Sequence, residues 1–215
     1  LLSGGIDSSI LTALSSKFNK NLKTFSVVFN EKEEDESKYS RQVSKIFNTN
    51  HFEYSFSEKD LIKFIPNLIN SMDMPIYDPA MLPLLFLSKN VSKEVKVALS
   101  GDGGDEIFAG YTHHRIIKYK RFFSAISNLL GVTSKSSNIK RIIDESLISN
   151  QNLDSILEHD LFTGLDKKLL RKTDLCSMQY GLEVRVPFLS PRLLNFSNQF
   201  NKSKFINVFF GKLPL

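Results

Sequence analysis

A single cysteine in 215 residues is the first informative scarcity. Cys176 alone cannot build an internal disulfide framework or a multi-cysteine metal site, and it fits a reducing, cytoplasmic setting. No apolar run is long enough to span a bilayer, because charged or polar residues interrupt each one, so no membrane partner is expected. A basic-then-apolar leader is missing, as are internal repeats and low-complexity tracts. The chain opens on Leu1-Leu2 and runs straight into a loop, so it reads as a fragment.

What is present suits one globular domain, with or without an attached subdomain: 41% hydrophobic and 24% charged residues, enough to form a core without staples. The net charge of +5 invites a nucleic-acid partner. The basic residues are scattered, however, apart from His113-His114-Arg115, Lys118, Lys120 and Arg121. That cluster reads as a solvated helix face, and no nucleic-acid partner is expected. Glu31 to Glu36 reads as an acidic loop leading into a helix.

Apolar spacing supplies the elements. Ile6, Ile10, Leu14 and Phe18 recur every four residues and predict a helix with that stripe buried. Residues 24–29 predict a strand, Tyr39 to Phe47 a helix, and Phe52, Tyr54 and Phe56 a half-buried strand. Ser57 and Asp60 resemble a capping box ahead of Leu61, Phe64, Ile65 and Leu68. A Pro-rich loop around residues 74–79, a helix over 82–91 and a strand over 95–99 follow. This alternation predicts an α/β fold, a parallel sheet with helices on both faces. From residue 111 the strand signals fade, and Ile116, Ile117, Phe122, Phe123, Ile126, Leu130, Ile142, Ile143 and Leu147 suggest a mainly helical C-terminal part. The expected division is 1–110 and 111–215.

Two loops carry chemistry. In Ser3-Gly4-Gly5-Ile6-Asp7-Ser8-Ser9 the glycines permit a tight turn, and the following helix aims its N–H groups at an anion. Ser3, Ser8 and Ser9 add hydroxyl donors. Asp7 beside phosphate calls for a bridging cation, most economically Mg²⁺. A helix-capping turn that binds nothing is the plain alternative. In Ser100-Gly101-Asp102-Gly103-Gly104-Asp105-Glu106 three glycines and three carboxylates follow a strand. An acidic turn or a calcium loop competes there, although the distal Glu and 12-residue frame of the latter are missing. Both loops fall at the carboxyl edge of one predicted sheet, where ligands of open α/β sheets bind.

These loops resemble those of the ATP pyrophosphatases, whose adenine nucleotide alpha hydrolase-like fold and pyrophosphate loop match Ser3 to Ser9. Ser100 through Tyr111, with Gly181-Leu182-Glu183-Val184-Arg185-Val186-Pro187-Phe188-Leu189 preceded by Asp174 and Ser177-Met178, narrows the resemblance to glutamine-hydrolysing asparagine synthetases. Thr24-Phe25-Ser26-Val27, Asp35-Glu36 and Thr49-Asn50-His51 match in order, and nearly the whole chain is covered. The resemblance implies an ATP-dependent carbon–nitrogen ligase that forms β-aspartyl-AMP from aspartate and ATP, then releases asparagine on attack by ammonia. Ser3, Gly4, Gly5, Ser8 and Ser9 would hold pyrophosphate. Asp7 and Asp105 would hold Mg²⁺, and Leu2, Val27, Ser100 and Gly101 would frame adenosine. Asp102 stands where an acid tied to acyl-adenylate formation is found. Glu183 and Arg185 would shape the aspartate pocket, or else form an internal ion pair. Departures are Val28 for a glycine, Ala80 and Met81 for smaller or hydroxyl residues, and Ser190 for an aspartate.

The resemblance also implies a glutaminase domain before Leu1 that supplies ammonia from glutamine, and a catalytic lysine beyond residue 215. Lys212 is not expected to be that lysine, nor Cys176 the glutaminase nucleophile; Cys176 is expected in the core. The isolated chain is therefore expected to be weakly active or inactive. A homodimer is among the assemblies open to it. Competing expectations are a related adenylating enzyme (β-lactam synthetase, peptide cyclase or sugar amidotransferase), a non-catalytic nucleotide-binding module, and a basic nucleic-acid-binding protein.

Overall fold

The structure, a computed structural model, describes residues 1–29, 37–72, 78–120, 122, 152–207, 209–213 and 215. Its contacts divide the chain into two compact units, residues 1–102 with 168–187, and residues 103–167 with 188–215. The division expected at residue 110 therefore falls inside the second unit. Residues 168–187 join the first because β4, within them, pairs with β3.

The first unit is an α/β assembly with parallel strands. Its elements are α1 (Ile6–Phe18), β1 (Lys23–Phe29), α2 (Ser37–Phe47), β2 (Asn50–Phe56), α3 (Glu58–Ser71), α4 (Met81–Val91) and β3 (Val97–Leu99). A later helix, Arg171–Met178, and β4 (Glu183–Arg185) complete it. β1 pairs with β2 and β3 with β4, both in parallel. Leu1–Leu2 bridges the two pairs. The Leu2 N–H donates to Phe25 O at 2.8 Å, and the Leu1 amino group to Leu99 O at 2.6 Å. The lateral order is thus β2, β1, Leu1–Leu2, β3, β4. The chain leaves Leu1–Leu2 toward β1 and returns on the other side with β3, so strand order reverses beside residue 2.

Most elements follow their sequence signals. The α3 capping box is made as expected, with Asp60 N–H donating to Ser57 Oγ and Ser57 N–H to Asp60. β4 was not expected: three residues, two of them charged, give no periodicity to read. Phe123, Ile126, Leu130, Ile142, Ile143 and Leu147 of the expected helical part lie outside the described residues, as do Glu31 to Glu36.

The buried faces of α1 and α2 also differ from expectation. Ile6 is 50% and Phe18 91% exposed, while Ser8 and Thr12 are buried; in α2, Ser37, Ser40 and Ser44 are buried and Tyr39 and Ile46 exposed. The hydroxyls explain how such faces can be interior. Thr12 Oγ1 donates to Ser8 O and Ser40 Oγ to Ser37 O, so each is satisfied within its helix. Beneath them, Thr24 bonds Thr49 and His51, Thr49 donates to Ser44, and Ser26 Oγ donates to Leu2 O. Thr24, Phe25 and Ser26 are all buried, and successive strand side chains point to opposite faces, so both faces of β1 are covered. Phe25 faces an apolar core with Leu87, Val91, Ala98 and Leu182, and stacks on Phe52 at 5.3 Å.

A second core joins Phe64, Met81, Leu85 and Cys176. Cys176 is fully buried, as expected, and burial pushes its thiol up to about 12. Alkylation of the native protein at neutral pH should leave Cys176 unmodified, and denaturant should expose it fully; rapid labelling of folded protein, read by mass spectrometry, would contradict this burial.

Lys172 Nζ lies 3.1 Å from Asp78 Oδ2, both largely buried in the first unit. Burial alone would raise the Asp78 carboxyl; the Ala80 N–H and Lys172 outweigh it and hold it below the usual range. A depressed carboxyl contributes stability that is present above its unfolded pKa, about 4, and is lost as pH falls through the folded value. Lys172→Met should cost about 2–4 kcal/mol at pH 7, by leaving a buried charge alone, and less at pH 3. Equal losses at both pH values in chemical denaturation would refute the ion pair's role.

The second unit includes α5 (Gly104–Phe108), α6 (Thr112–Lys118), α7 (Leu153–His159), a π-helical segment (Asp160–Leu170) that runs on into the first unit, and a short helix Pro191–Ser197. The basic cluster of α6 is not the solvated face expected. His114 is fully buried, Arg115 donates to Phe209 O, and Lys118 to Ser203 O and Ile206 O. These cations satisfy carbonyls of the C-terminal loops, a local demand that composition cannot show. Among the described residues no helix is long and apolar enough to cross a membrane.

Candidate functional site

The turn Ser3–Gly5 begins where strand order reverses. Gly4 has φ +89°, and a Cβ there would stand 2.5 Å from Tyr39 Cβ and 2.7 Å from Ser40 N. Both the backbone conformation and the space demand glycine. Gly5 is the N-cap of α1 and supplies no side-chain cap. The hydroxyls crowd the same turn: Ser3 Oγ lies 3.1 Å from Ser8 Oγ, and Ser8 and Ser9 donate to Gly5 O. Asp7 occupies the first turn of α1, half-buried.

The second loop approaches the first within the same unit. A Cβ on Gly101 would lie 3.0 Å from Asp7 Cβ and 3.2 Å from Ser8 N. Ser100, buried, donates its N–H to Arg185 O at 2.9 Å, which ties the loop to β4. Asp102 Oδ2 accepts from Thr173 Oγ1 at 3.1 Å. Thr173 was not expected from the sequence; no motif marks it, and only the fold brings it to Asp102.

A cavity of roughly 270 Å³ opens beside Ser3. Leu2, Val27, Ala80 and Leu84 are among its apolar walls, and its polar lining among the described residues is Ser3, Ser26, Ser37 and Ser40. Among the described residues no charged side chain lines it. Of the residues expected around adenosine, Leu2 and Val27 line this cavity; Ser100 and Gly101 do not, standing instead against β4 and Asp7. Ala80 lines the cavity, and Met81 is core.

Glu183 and Arg185 share one face of β4, where Arg185 Nε donates to Glu183 Oε1 at 2.8 Å and both side chains are exposed. This pairing holds the guanidinium's pKa above its usual value. Asp105 belongs to the second unit, where Lys212 Nζ lies 2.8 Å from its Oδ1. Gly110 makes room for that pair, since a Cβ there would stand 1.8 Å from Asp105 Oδ1.

The donor set in the first unit suits an anion with a hard cation. Gly4, which tolerates no side chain, and Gly101 bring backbone close, hydroxyls surround the turn, and one carboxylate stands at a helix N-terminus. Parallel strands with helices, and a glycine turn at the reversal of their order, define an α/β protein. Within that class, the family model described as asparagine synthase matches residues 1–215, and the chain belongs to that family.

Named relatives agree. The chain is 28% identical over 240 residues to asparagine synthetase [glutamine-hydrolyzing] 1 of Bacillus subtilis, covering 87% of this chain and 38% of the relative. It is 29% identical over 243 residues to a putative asparagine synthetase of Mycobacterium tuberculosis, covering 89% and 37%. With a putative asparagine synthetase 2 of Methanocaldococcus jannaschii, identity is 35% over 142 residues, covering 65% and 27%. The chain thus spans less than two fifths of the length of these relatives.

Proposed function

We propose that the chain is the ATP-using part of a glutamine-hydrolysing asparagine synthetase. The observation that carries this reading is the apolar, serine-edged cavity beside a turn that admits no side chain at Gly4. An apolar cavity suits a purine, and a glycine turn opening a helix suits the phosphates that follow it. Ser3, Ser8, Ser9 and the first turn of α1 would hold the pyrophosphate portion of ATP, with Leu2 and Val27 against the base.

Asp7 is the carboxylate the first unit offers to Mg²⁺, which when bound compensates charge on the departing pyrophosphate. The proposed reaction begins as a carboxylate oxygen of aspartate attacks the α-phosphorus. That bond forms as the bond to pyrophosphate breaks, leaving β-aspartyl-AMP. Asp102, fixed by Thr173, would orient the reacting groups; Glu183 and Arg185 would flank aspartate. Ammonia then displaces AMP, and the glutamine-hydrolysing names of the relatives support glutamine as its source in a further domain.

Calorimetry with a non-hydrolysable ATP analogue and Mg²⁺ tests the binding site on this chain. Ala80→Phe, which fills the cavity, should weaken binding at least about tenfold. Unchanged affinity in a folded variant would place the nucleotide elsewhere.

A further inference from the structure

The chain's four histidines include three that gather around one carboxylate in the second unit. His113 Nε2 lies 2.6 Å and His114 Nε2 2.9 Å from the same oxygen, Asp160 Oδ2. His159 Nδ1 stands 3.6 Å from Asp160 Oδ1. The first two rings come from α6, His159 ends α7, and Asp160 opens the π-helical segment.

A purely structural role explains the cluster poorly. One carboxylate oxygen takes two imidazole donors, while His114, with 0% exposure, keeps its Nδ1 buried with no hydrogen-bond partner. That Nδ1 would not itself ligate an ion; what suits one is the convergence of both Nε2 atoms on Asp160 Oδ2. π-helical turns concentrate at functional sites. The ligating atoms of His113, His114 and Asp160 already lie within 4.8 Å of one another.

We propose that His113 Nε2, His114 Nε2 and Asp160 Oδ2 bind a divalent transition-metal ion of the zinc class, with His159 or water completing the shell. Imidazole with a single carboxylate favours Zn²⁺, Co²⁺ or Ni²⁺ over the hard ions Mg²⁺ and Ca²⁺. Ligands about 2.0–2.2 Å from a tetrahedral ion sit about 3.3–3.6 Å apart, so the two imidazoles draw back from Asp160 Oδ2 by roughly half an ångström to one ångström. Each ligating imidazole moves its proton from Nε2 to Nδ1. For half-exposed His113 water accepts it; for His114 no acceptor is in place, and that gap costs roughly 10–100-fold in affinity. Binding is accordingly expected near the micromolar range. The ion would clip α6 to the start of the π-helical segment. Tyr111 carries that constraint onward, since it stacks on His113 at 5.3 Å and donates to Glu106 of α5 at 2.6 Å.

The test is titration of the chelator-treated chain with Co²⁺, read by visible d–d absorption, followed by displacement with Zn²⁺. One equivalent should bind, and Zn²⁺ should raise the thermal midpoint by a few degrees. His113→Ala, at a partly exposed position, and Asp160→Asn should each weaken binding at least tenfold while circular dichroism confirms folding. No saturable uptake by the folded chain, or uptake unaffected by both substitutions, would overturn the proposal.

Discussion

Replacing Gly4 by alanine should cost about 3 kcal/mol of folding stability and abolish the proposed nucleotide binding, whereas Gly5→Ala should cost less than about 1 kcal/mol. The two glycines are adjacent in sequence and unlike in structure. At Gly4 the left-handed φ of +89° would strain any other residue, and the new Cβ would meet the backbone of Ser40 at 2.7 Å. Backbone cannot swing aside as a flexible side chain can, so α2 must move or the turn must open. Either movement spoils the cavity edge at Ser37 and Ser40. At Gly5 the nearest atom to a new Cβ is Ser3 Oγ at 3.4 Å, an ordinary contact. Urea unfolding and analogue binding on both variants distinguish the positions. Equal, small losses would show that the turn is not the rigid element described here.

Asp7→Asn should lower pyrophosphate formation by the full-length protein at least about 100-fold, with stability changed by less than about 1 kcal/mol. Asparagine keeps the shape beside Gly101 and retains a polar group in the first turn of α1. It loses the negative charge that a hard cation requires. If the carboxylate served only the helix dipole, the variant would lose a fraction of a kilocalorie and none of its turnover. Steady-state kinetics at varied Mg²⁺, with unfolding curves in parallel, separate the two roles.

The glycine loops and the α/β alternation were legible because each is written locally. Ser3 to Ser9 and Ser100 to Glu106 carry composition that few structural needs would produce, and the capping box at Ser57 and Asp60 depends only on residues three apart. Long-range facts were not legible. The interior faces of α1 and α2 are serine and threonine, which apolar periodicity cannot find, because their burial rests on hydroxyls bonded to their own helix or, for Ser44, to Thr49. β4 was invisible for a related reason: Glu183 and Arg185 are exposed charges, and the strand exists only because β3 offers Val97–Leu99 as its partner. The basic stretch of α6 misled by composition, since its cations turn toward carbonyls supplied some ninety residues later. Thr173 on Asp102 and Lys212 on Asp105 are likewise products of the fold.

The central claim is that this chain uses ATP to activate a carboxylate. Pyrophosphate release by the full-length protein, with ATP, Mg²⁺ and aspartate, with and without glutamine, tests it most directly. Release that requires aspartate, with asparagine appearing when glutamine is present, is the predicted result. A folded protein that binds ATP yet releases no pyrophosphate with aspartate would contradict it.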